Sequence, residues 1–173
     1  MIDTLITSKT RIKLLLKFFL NPQNTSYLRG LEAEFGESSN AIRTELNRLE
    51  KSNMLLSVSK GNRKMFKVND RHPLYNEINS IVRKYLGIDL VIEFIVNKLG
   101  HLHSVYLIGQ LARGIDSPVI DLVLVGNVDK VYLIQLIDKA EKLINRKIKF
   151  MICDQGEEDT YLAEGNLLIW NND

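Results

Sequence analysis

Residues 104–126 read as two short strands joined by a glycine-containing turn. Residues 105–108 form a brief apolar run that ends at Gly109, and residues 119–125 form a second run that ends at another glycine. Apolar runs of this length between turn residues are typical of buried strands. Asp121 lies inside the second run, and a carboxylate is costly to bury unless it is paired or binds a metal. The stretch therefore predicts a small sheet that contains one carboxylate with a specific role.

The glycine turn and the strand after it have a recognisable order of residues. Residues 109–114 read GQLARG, residues 120–122 read IDL, and residues 125–126 read VG. This order resembles the signature of the minimal nucleotidyltransferases, which runs Gly-Ser-x-Ala-Arg-Gly, a short loop, and Asp-x-Asp on a strand that ends in Val-Gly. The resemblance implies a small mixed sheet with helices over the second half of the chain.

The chemistry of that signature depends on phosphate and metal binding. Backbone N–H groups of the turn hold phosphate oxygens, and two carboxylates at i and i+2 of a strand share one face and can hold two metals. In this chain Gln110 replaces the serine, Val119 stands where the first aspartate is expected, and Lys149 lies where a third acidic residue is wanted. One carboxylate facing a lysine is a poor magnesium site. We therefore predict a catalytically degenerate domain with no catalytic residue, no metal and no cofactor.

Two non-catalytic uses of this domain stay open. In the first, a nucleotide or phosphate ligand binds to candidate residues that surround the turn, namely Gly109, Gln110, Arg113, Asp121 and Lys149. In the second, the domain is structural or binds a protein partner, and Asp121 pairs with Arg113 or caps a turn.

The 173 residues divide unevenly in charge, although the net charge is only +2. Residues 1–86 contain 15 Lys/Arg against 8 Asp/Glu, a net of +7, whereas residues 87–173 contain 8 against 13, a net of −5. This division suggests two modules, of which the basic one is suited to a polyanion. The single cysteine, Cys153, excludes a disulfide within the chain. With no signal-peptide layout and no apolar run near the roughly 20 residues of a membrane span, we expect a cytoplasmic protein that does not enter the membrane.

Cap residues and helical spacing of apolar side chains predict three helices in the first 52 residues. The first runs from Thr7 or Ser8 to about Leu20, the second from Thr25 or Ser26 to Gly36, and the third from Ser38 or Ser39 to about Ser52. Two short helices around a glycine turn, followed by a helix with one polar face, favour a helix-turn-helix.

A basic hairpin is predicted directly after these helices. Residues 55–58 and 65–68 look like short strands, and the link between them, residues 59–64, contains three cations and a Gly-Asn pair. A helix-turn-helix followed by such a hairpin is the winged-helix arrangement. The stretch from Ser8 to Asn69 thus resembles the ArsR-like and MarR-like winged-helix regulators, which implies double-stranded DNA as a partner.

The polar face of the third helix and the hairpin supply the candidate DNA contacts. Arg pairs well with guanine and Asn with adenine in the major groove, and lysines and arginines of a wing meet phosphates or the minor groove. The predicted DNA-binding residues are Ser39, Asn40, Arg43, Thr44, Asn47, Arg48, Lys60, Asn62, Arg63 and Lys64. The alternative is an ordinary solvated helix face and a charged turn.

Two further helices are predicted to link the modules. One starts at His72-Pro73, with proline in its first position, and ends at Gly87, and the next covers residues 88–99. Their apolar stripes exceed the need of one small interdomain contact, so we predict a homodimer through them. Beyond the first strands of the second module, residues 129–145 are predicted as a helix and residues 147–153 as a strand.

The order of these parts resembles a family of prokaryotic regulators in which a winged helix is fused to a minimal nucleotidyltransferase-like domain closing on residues 163–166. The predicted fold class is α+β: a winged helix in residues 1–70, linking helices in 71–100 and a degenerate nucleotidyltransferase-like domain in 101–173. The predicted function is a sequence-specific DNA-binding transcriptional regulator without catalytic activity. The alternatives are a metal-dependent nucleotidyltransferase and an antitoxin-like protein-interaction module.

Overall fold

A computed structural model describes residues 2–162 and 165–172. The chain is a mixed α and β protein that divides into two compact units, Met1–Tyr85 and Leu86–Asp173. The three-part division at residues 70 and 100 stays a prediction. None of the described helices is of a length and apolarity that would let it cross a lipid bilayer.

The first unit is built from helices and one small antiparallel sheet in the order β1-β3-β2. Its elements are α1 (Ile2–Leu5), α2 (Lys9–Phe19), β1 (Thr25–Ser26), α3 (Leu28–Phe35), α4 (Ser39–Lys51), β2 (Leu55–Lys60), β3 (Arg63–Val68) and α5 (Tyr75–Leu86), the last of which reaches into the second unit. Its core contains large side chains that are fully buried: Leu14, Phe18, Phe19, Leu31, Ile42 and Leu46.

Cap signals correctly located the first and third predicted helices, which are α2 and α4 of the structure. The Ser8 side chain accepts a hydrogen bond from the Arg11 backbone N–H at 3.2 Å, so Ser8 rather than Thr7 caps α2. Ser38 caps α4 in the same way, through the backbone N–H of Ala41 at 3.3 Å. Gly36, with a φ of +63°, ends α3 as predicted.

The predicted start of the second helix was wrong. Thr25 and Ser26 form the short strand β1, which pairs with Lys67 and Phe66 of β3, and the helix begins only at Leu28. Thr and Ser are good helix caps, but pairing with a distant strand has overridden the local signal.

The hairpin is tighter than predicted. Its strands continue to Lys60 and from Arg63, so the turn has two residues, Gly61 and Asn62, instead of six. Gly61 adopts a φ of +61°, as a two-residue hairpin turn requires. The three cations predicted for a loop therefore lie on strands, where the pleat fixes the direction of each side chain.

Both linking helices also differ from their predictions. Pro73 lies in a turn in which the His72 ring accepts the backbone N–H of Leu74 at 3.1 Å, and α5 begins two residues later at Tyr75. The predicted helix over 88–99 is α6 (Ile88–Phe94) followed by a single 3₁₀ turn (Val96–Lys98). Gly87 separates the two helices as predicted, with a φ of +82°.

The second unit has a four-stranded sheet in the order β6-β5-β4-β7, flanked by helices. Its remaining elements are β4 (Leu102–Ile108), α7 (Gly109–Ala112), β5 (Val119–Gly126), α8 (Lys130–Ile144), β6 (Lys147–Cys153), a 3₁₀ turn (Glu158–Thr160) and β7 (Leu167–Asn171). Strands β5 and β6 are parallel, and the other pairs are antiparallel.

The helix α8 and the strand β6 occur where the sequence predicted them, and β4 begins earlier than residue 105. Asp129 caps α8 by accepting the backbone N–H groups of Val131 and Tyr132 at 2.9 and 3.1 Å. Pairing aligns Asp121 of β5 with Lys149 of β6 and with Ile108 of β4. Residues opposite each other in a sheet share a face, so these three side chains project from the same side.

Candidate nucleic-acid interface

The helix α4 presents one buried and one polar face. Ile42, Leu46 and Leu49 are buried, which fixes the rotation of the helix about its axis. The opposite side exposes five predicted contact residues, and a sixth, Ser39, is half-buried; the five are Asn40, Arg43, Thr44, Asn47 and Arg48. The Thr44 hydroxyl already donates to the Asn40 carbonyl at 2.8 Å, so only its acceptor lone pairs stay open to a ligand.

Glu45 attaches α4 to α2. Its carboxylate, 6% exposed, accepts two hydrogen bonds from the Arg11 guanidinium at 2.8 and 3.2 Å and one from the Ser8 hydroxyl at 3.1 Å. Arg48 also donates to it at 3.3 Å. Burial acts to raise the pKa of Glu45, but the bonds from Arg11 and Ser8 outweigh it and hold the pKa below its usual value. The carboxylate is thus ionised and its charge is used inside the fold.

Glu50, in the last turn of α4, attaches the helix to the hairpin. It accepts a hydrogen bond from the Lys64 ammonium at 2.7 Å and another from the Ser57 hydroxyl. The Lys64 bond is the main reason that the pKa of Glu50 is lowered, and Ser57 adds to it. Two acidic residues of α4 therefore join it to its neighbours, Glu45 from the middle of the helix to α2 and Glu50 from its last turn to the hairpin.

A groove of about 550 Å³ lies between α4, the hairpin and the start of α3. It is lined by Tyr27, Leu28, Arg29, Arg43, Leu46, Asn47, Asn62, Arg63, Lys64 and Phe66. Five of the predicted DNA-binding residues are brought together here: Arg43, Asn47, Asn62, Arg63 and Lys64. The other five, Ser39, Asn40, Thr44, Arg48 and Lys60, lie outside its lining.

The start of α3 contributes groove residues that sequence reasoning missed. Tyr27 and Arg29 line the groove, and the Arg63 guanidinium lies over the Tyr27 ring at 4.4 Å from its centroid. The missing information was the pairing of β1 with β3, which brings this segment beside the hairpin. Only the basic character of Arg29 next to a predicted helix start could have signalled it.

The predicted ligand residues of the second unit are only partly assembled. Asp121 and Lys149 line a shallow groove of about 410 Å³, whose other walls are Ile108, Leu122, Ile148, Phe150 and Met151. Gly109 lies against Asp121, since a Cβ on this glycine would be 2.8 Å from the carboxylate oxygen Oδ2. Gln110 is exposed on α7. Asp121 is half-buried, so its desolvation is milder than a core position would impose.

The Arg113 side chain lies against Gly165, where an added Cβ would be 2.9 Å from Arg113 Cγ. Its pairing with Asp121 stays a prediction. The left-handed φ of +73° at Gly114 turns the chain directly after this arginine. Gly165 belongs to the predicted closing motif at 163–166, of which Ala163 and Glu164 lie outside the described residues.

Within residues 2–162 and 165–172, no three His, Cys, Asp or Glu side chains converge on a position suitable for a metal ion. Val119 lies two residues before Asp121 on β5 and so shares its face, but offers no oxygen there. The exposed Lys149 stands across from the carboxylate on β6.

Comparison with known proteins gives no close relative of this chain. No protein-family model and no curated protein matches the chain. A solved structure described as "a putative nucleotidyltransferase from Sulfolobus solfataricus" shares 23% sequence identity, and the match covers 55% of this chain and 86% of that one, with a TM-score of 0.36. We draw no conclusion from a similarity of this size.

Proposed function

We propose that the first unit is a winged helix that binds double-stranded DNA, with α4 in the major groove and the β2–β3 hairpin as its wing. The observation that carries the proposal is the groove in which Arg43 and Asn47 of α4 meet Asn62, Arg63 and Lys64 of the hairpin. A polar helix face beside a cationic hairpin is the arrangement that reads bases and holds phosphates together.

The charges of this surface support the assignment. Two acidic residues of α4, Glu45 and Glu50, are bound to cations of the fold and leave the exposed helix face to Arg and Asn side chains. Arg43 and Asn47 are suited to base edges, and Arg29 adds a cation at the edge of the groove for a phosphate. The other predicted contacts, Ser39, Asn40, Thr44, Arg48 and Lys60, would then flank the groove along the duplex backbone.

We further propose that the second unit is a nucleotidyltransferase-like domain without transferase activity, used for ligand sensing or for binding a protein partner. The support is the pairing of a single carboxylate, Asp121, with Lys149, and the apolar Val119 on the same face. Magnesium needs several hard oxygen ligands, and a lysine opposes its approach. A phosphate compound without metal is the ligand that Gly109 and Lys149 could hold.

We also propose that the protein acts in the cytoplasm, and that it binds paired DNA half-sites as a homodimer. Of the two helices predicted to form the dimer contact, α6 and the residues after it have a buried apolar stripe, which includes Ile88, Val91 and Ile95. On α5, by contrast, Ile81 is 46% exposed, and Leu74 just before it is 48% exposed. We therefore place the dimer contact on α5 and expect Ile81→Glu to give monomers in analytical ultracentrifugation.

The DNA proposal is tested by selection of bound duplexes from a random library, followed by fluorescence anisotropy of the best sequence over a salt series. We expect affinity to fall steeply with salt, because each phosphate contact releases counterions. A variant that changes both Arg43 and Arg63 to Ala should bind far more weakly, whereas a double variant of the exposed Lys130 and Lys139 should not. Absence of binding to any duplex at low salt would refute the proposal.

The proposed absence of transferase activity is tested by incubating the purified protein with labelled nucleoside triphosphates and magnesium or manganese. We expect no transfer by the wild-type protein. Transfer by the wild type that disappears in Asp121→Ala would replace the pseudoenzyme proposal by a metal-dependent nucleotidyltransferase. A stable partner in pulldown, with neither DNA binding nor transfer, would favour the interaction module.

A further inference from the structure

Two neighbouring cations of the hairpin are held by chemically different partners. The Arg63 guanidinium lies 4.4 Å above the centroid of the Tyr27 ring. The Lys64 ammonium lies 2.7 Å from the Glu50 carboxylate and 5.2 Å from the centroid of the Phe66 ring. Both cations line the same groove, so the difference lies in their support and not in their location.

The two supports have opposite effects on DNA binding. A carboxylate cancels the charge of its cation and occupies its donors, whereas an aromatic face attracts a cation without neutralising it. A guanidinium that stacks on a ring also keeps the N–H donors at its edge free to meet a phosphate. Arg63 is thus presented as a full charge in a restricted orientation, and Lys64 is partly cancelled.

The backbone near Tyr27 is arranged to place this ring. Pairing of Ser26 with Phe66 brings Tyr27 beside the hairpin, and Tyr27 precedes α3 without a side-chain cap bond. Gly30, the third residue of α3, leaves room for the ring: an added Cβ would be 3.0 Å from Tyr27 Cε1 and 3.3 Å from Cδ1. A separation of 3.0 Å is tighter than ordinary carbon contacts, so an alanine there would displace the ring.

We propose that Tyr27 is a positioning residue that holds Arg63 in the orientation in which it contacts a DNA phosphate, and that Gly30 makes room for it. This inference rests on the proposed DNA-binding function and adds to it a residue whose effect passes through Arg63. It also ranks the two wing cations, with Arg63 contributing more to binding than Lys64.

The test is a double-mutant cycle on DNA affinity, measured by anisotropy with the selected duplex and the full-length protein. Tyr27→Leu removes the aromatic face and should weaken binding roughly two- to fivefold, the range of an exposed cation–π contact. Tyr27→Phe keeps the ring and should bind as the wild type does. In an Arg63→Ala background, Tyr27→Leu should cost nothing further, because its effect passes through Arg63.

The outcomes separate this inference from the proposal it rests on. If the wild type binds DNA but Tyr27→Leu weakens binding equally with and without Arg63, Tyr27 has only a structural role and the inference is wrong. If no duplex binds, the inference and the proposed function both fail. Should Tyr27→Leu not fold, Gly30→Ala answers the question: it displaces the ring and should weaken binding only where Arg63 is present, and wild-type affinity would overturn the inference.

Discussion

The two units deal with their charges in opposite ways. In the first, Glu45 binds Arg11 and Glu50 binds Lys64, and the described lining of the groove that Arg43 and Asn47 share contains no carboxylate. In the second, the carboxylate Asp121 and the cation Lys149 line one groove and face the same side of the sheet. The first arrangement suits a polyanion, whereas the second opposes a metal ion and leaves Lys149 as the cation for a phosphate compound.

For the choice of a binding partner, the positions of the paired charges therefore matter more than the net charge of the unit. Residues 1–86 have a net charge of +7, which alone would be weak evidence for a nucleic-acid partner, since many solvated surfaces are basic. The DNA assignment is stronger because Glu45 is buried and takes three of its four hydrogen bonds from Arg11 and Ser8 inside the fold, the fourth coming from Arg48. A net charge cannot distinguish this arrangement from one in which every cation is paired at the surface.

The largest expected effects come from breaking one core at a time. Phe18 and Leu107 are fully buried in the first and second units. Truncating either to Ala should cost about 2–5 kcal/mol of stability, and hydrogen exchange should rise mainly in the unit that contains the change. At temperatures at which Phe18→Ala leaves the first unit unfolded, DNA binding should also be lost. The 82% exposed Leu5 is the control, and Leu5→Ala should change stability by less than about 0.5 kcal/mol.

An equal loss of exchange protection in both units after either truncation would mean that the chain unfolds as one cooperative body. The comparison between the units would then describe two surfaces of one structure and not two separately stable ones.

Removal of Arg43 should have the next largest effect. Arg43→Ala should cost about 1–3 kcal/mol in binding to the selected duplex and relax the preference at one base pair. Lys139→Ala removes an equal charge from the exposed side of α8 in the second unit and should leave affinity and preference unchanged. A uniform loss over all sequences would identify Arg43 as a phosphate contact instead.

The acid response should distinguish the units in a smaller way. Glu45 has a folded-state pKa below its ordinary value, so its stabilising effect is fully present above the unfolded-state pKa and is lost as pH falls through the folded-state value. Denaturant titrations from about pH 6 to about pH 3 should show the first unit losing stability, and Glu45→Gln should lower the neutral stability by about 1–2 kcal/mol and flatten this dependence.

The second unit supplies the matched comparison. The pKa of Glu141 is lowered chiefly by its hydrogen bond with Lys147 and by the Ile148 backbone N–H, but the Lys147 side chain is 77% exposed. Water screens such a pair, so Glu141→Gln should change stability by about 0.5 kcal/mol or less. Equal effects of the two substitutions would show that the buried environment of Glu45 adds nothing.

Local signals in the sequence predicted the helices well where a cap and an apolar stripe coincide. Ser8, Ser38 and Asp129 each accept a backbone N–H at the expected helix start. The errors occur where a distant partner decides. Thr25 pairs with Lys67 of β3, more than forty positions along the chain, and nothing near it in sequence indicates that strand.

The candidate site follows the same pattern. Arg43 and Asn47 could be predicted, because one helix turn separates them and the stripe of Ile42 and Leu46 fixes their direction. The contribution of Tyr27 could not, since it depends on β1 and β3 lying side by side. In the second unit, the spacing of Val119 and Asp121 predicted a shared face, but no local signal predicted that the Arg113 side chain would lie against Gly165.

The smallest effect tests whether the compensating carboxylates limit DNA binding. Glu50 is bonded to Lys64, which lines the groove, so its negative charge lies close to any bound phosphate. Glu50→Gln removes that charge, can still accept the Ser57 hydroxyl, and releases Lys64. We expect affinity at low salt to rise about two- to fivefold, in line with the weakness of partly exposed ion pairs, and the salt slope to increase by up to about one.

Glu37→Gln is the matched control, because Glu37 pairs with Lys13 outside the groove lining and the change in net charge is identical. If both substitutions raise affinity equally, overall charge and not local compensation controls binding. If neither does, Lys64 takes no part in DNA binding, and the distinction between a compensated and an uncompensated cation rests on Arg63 alone.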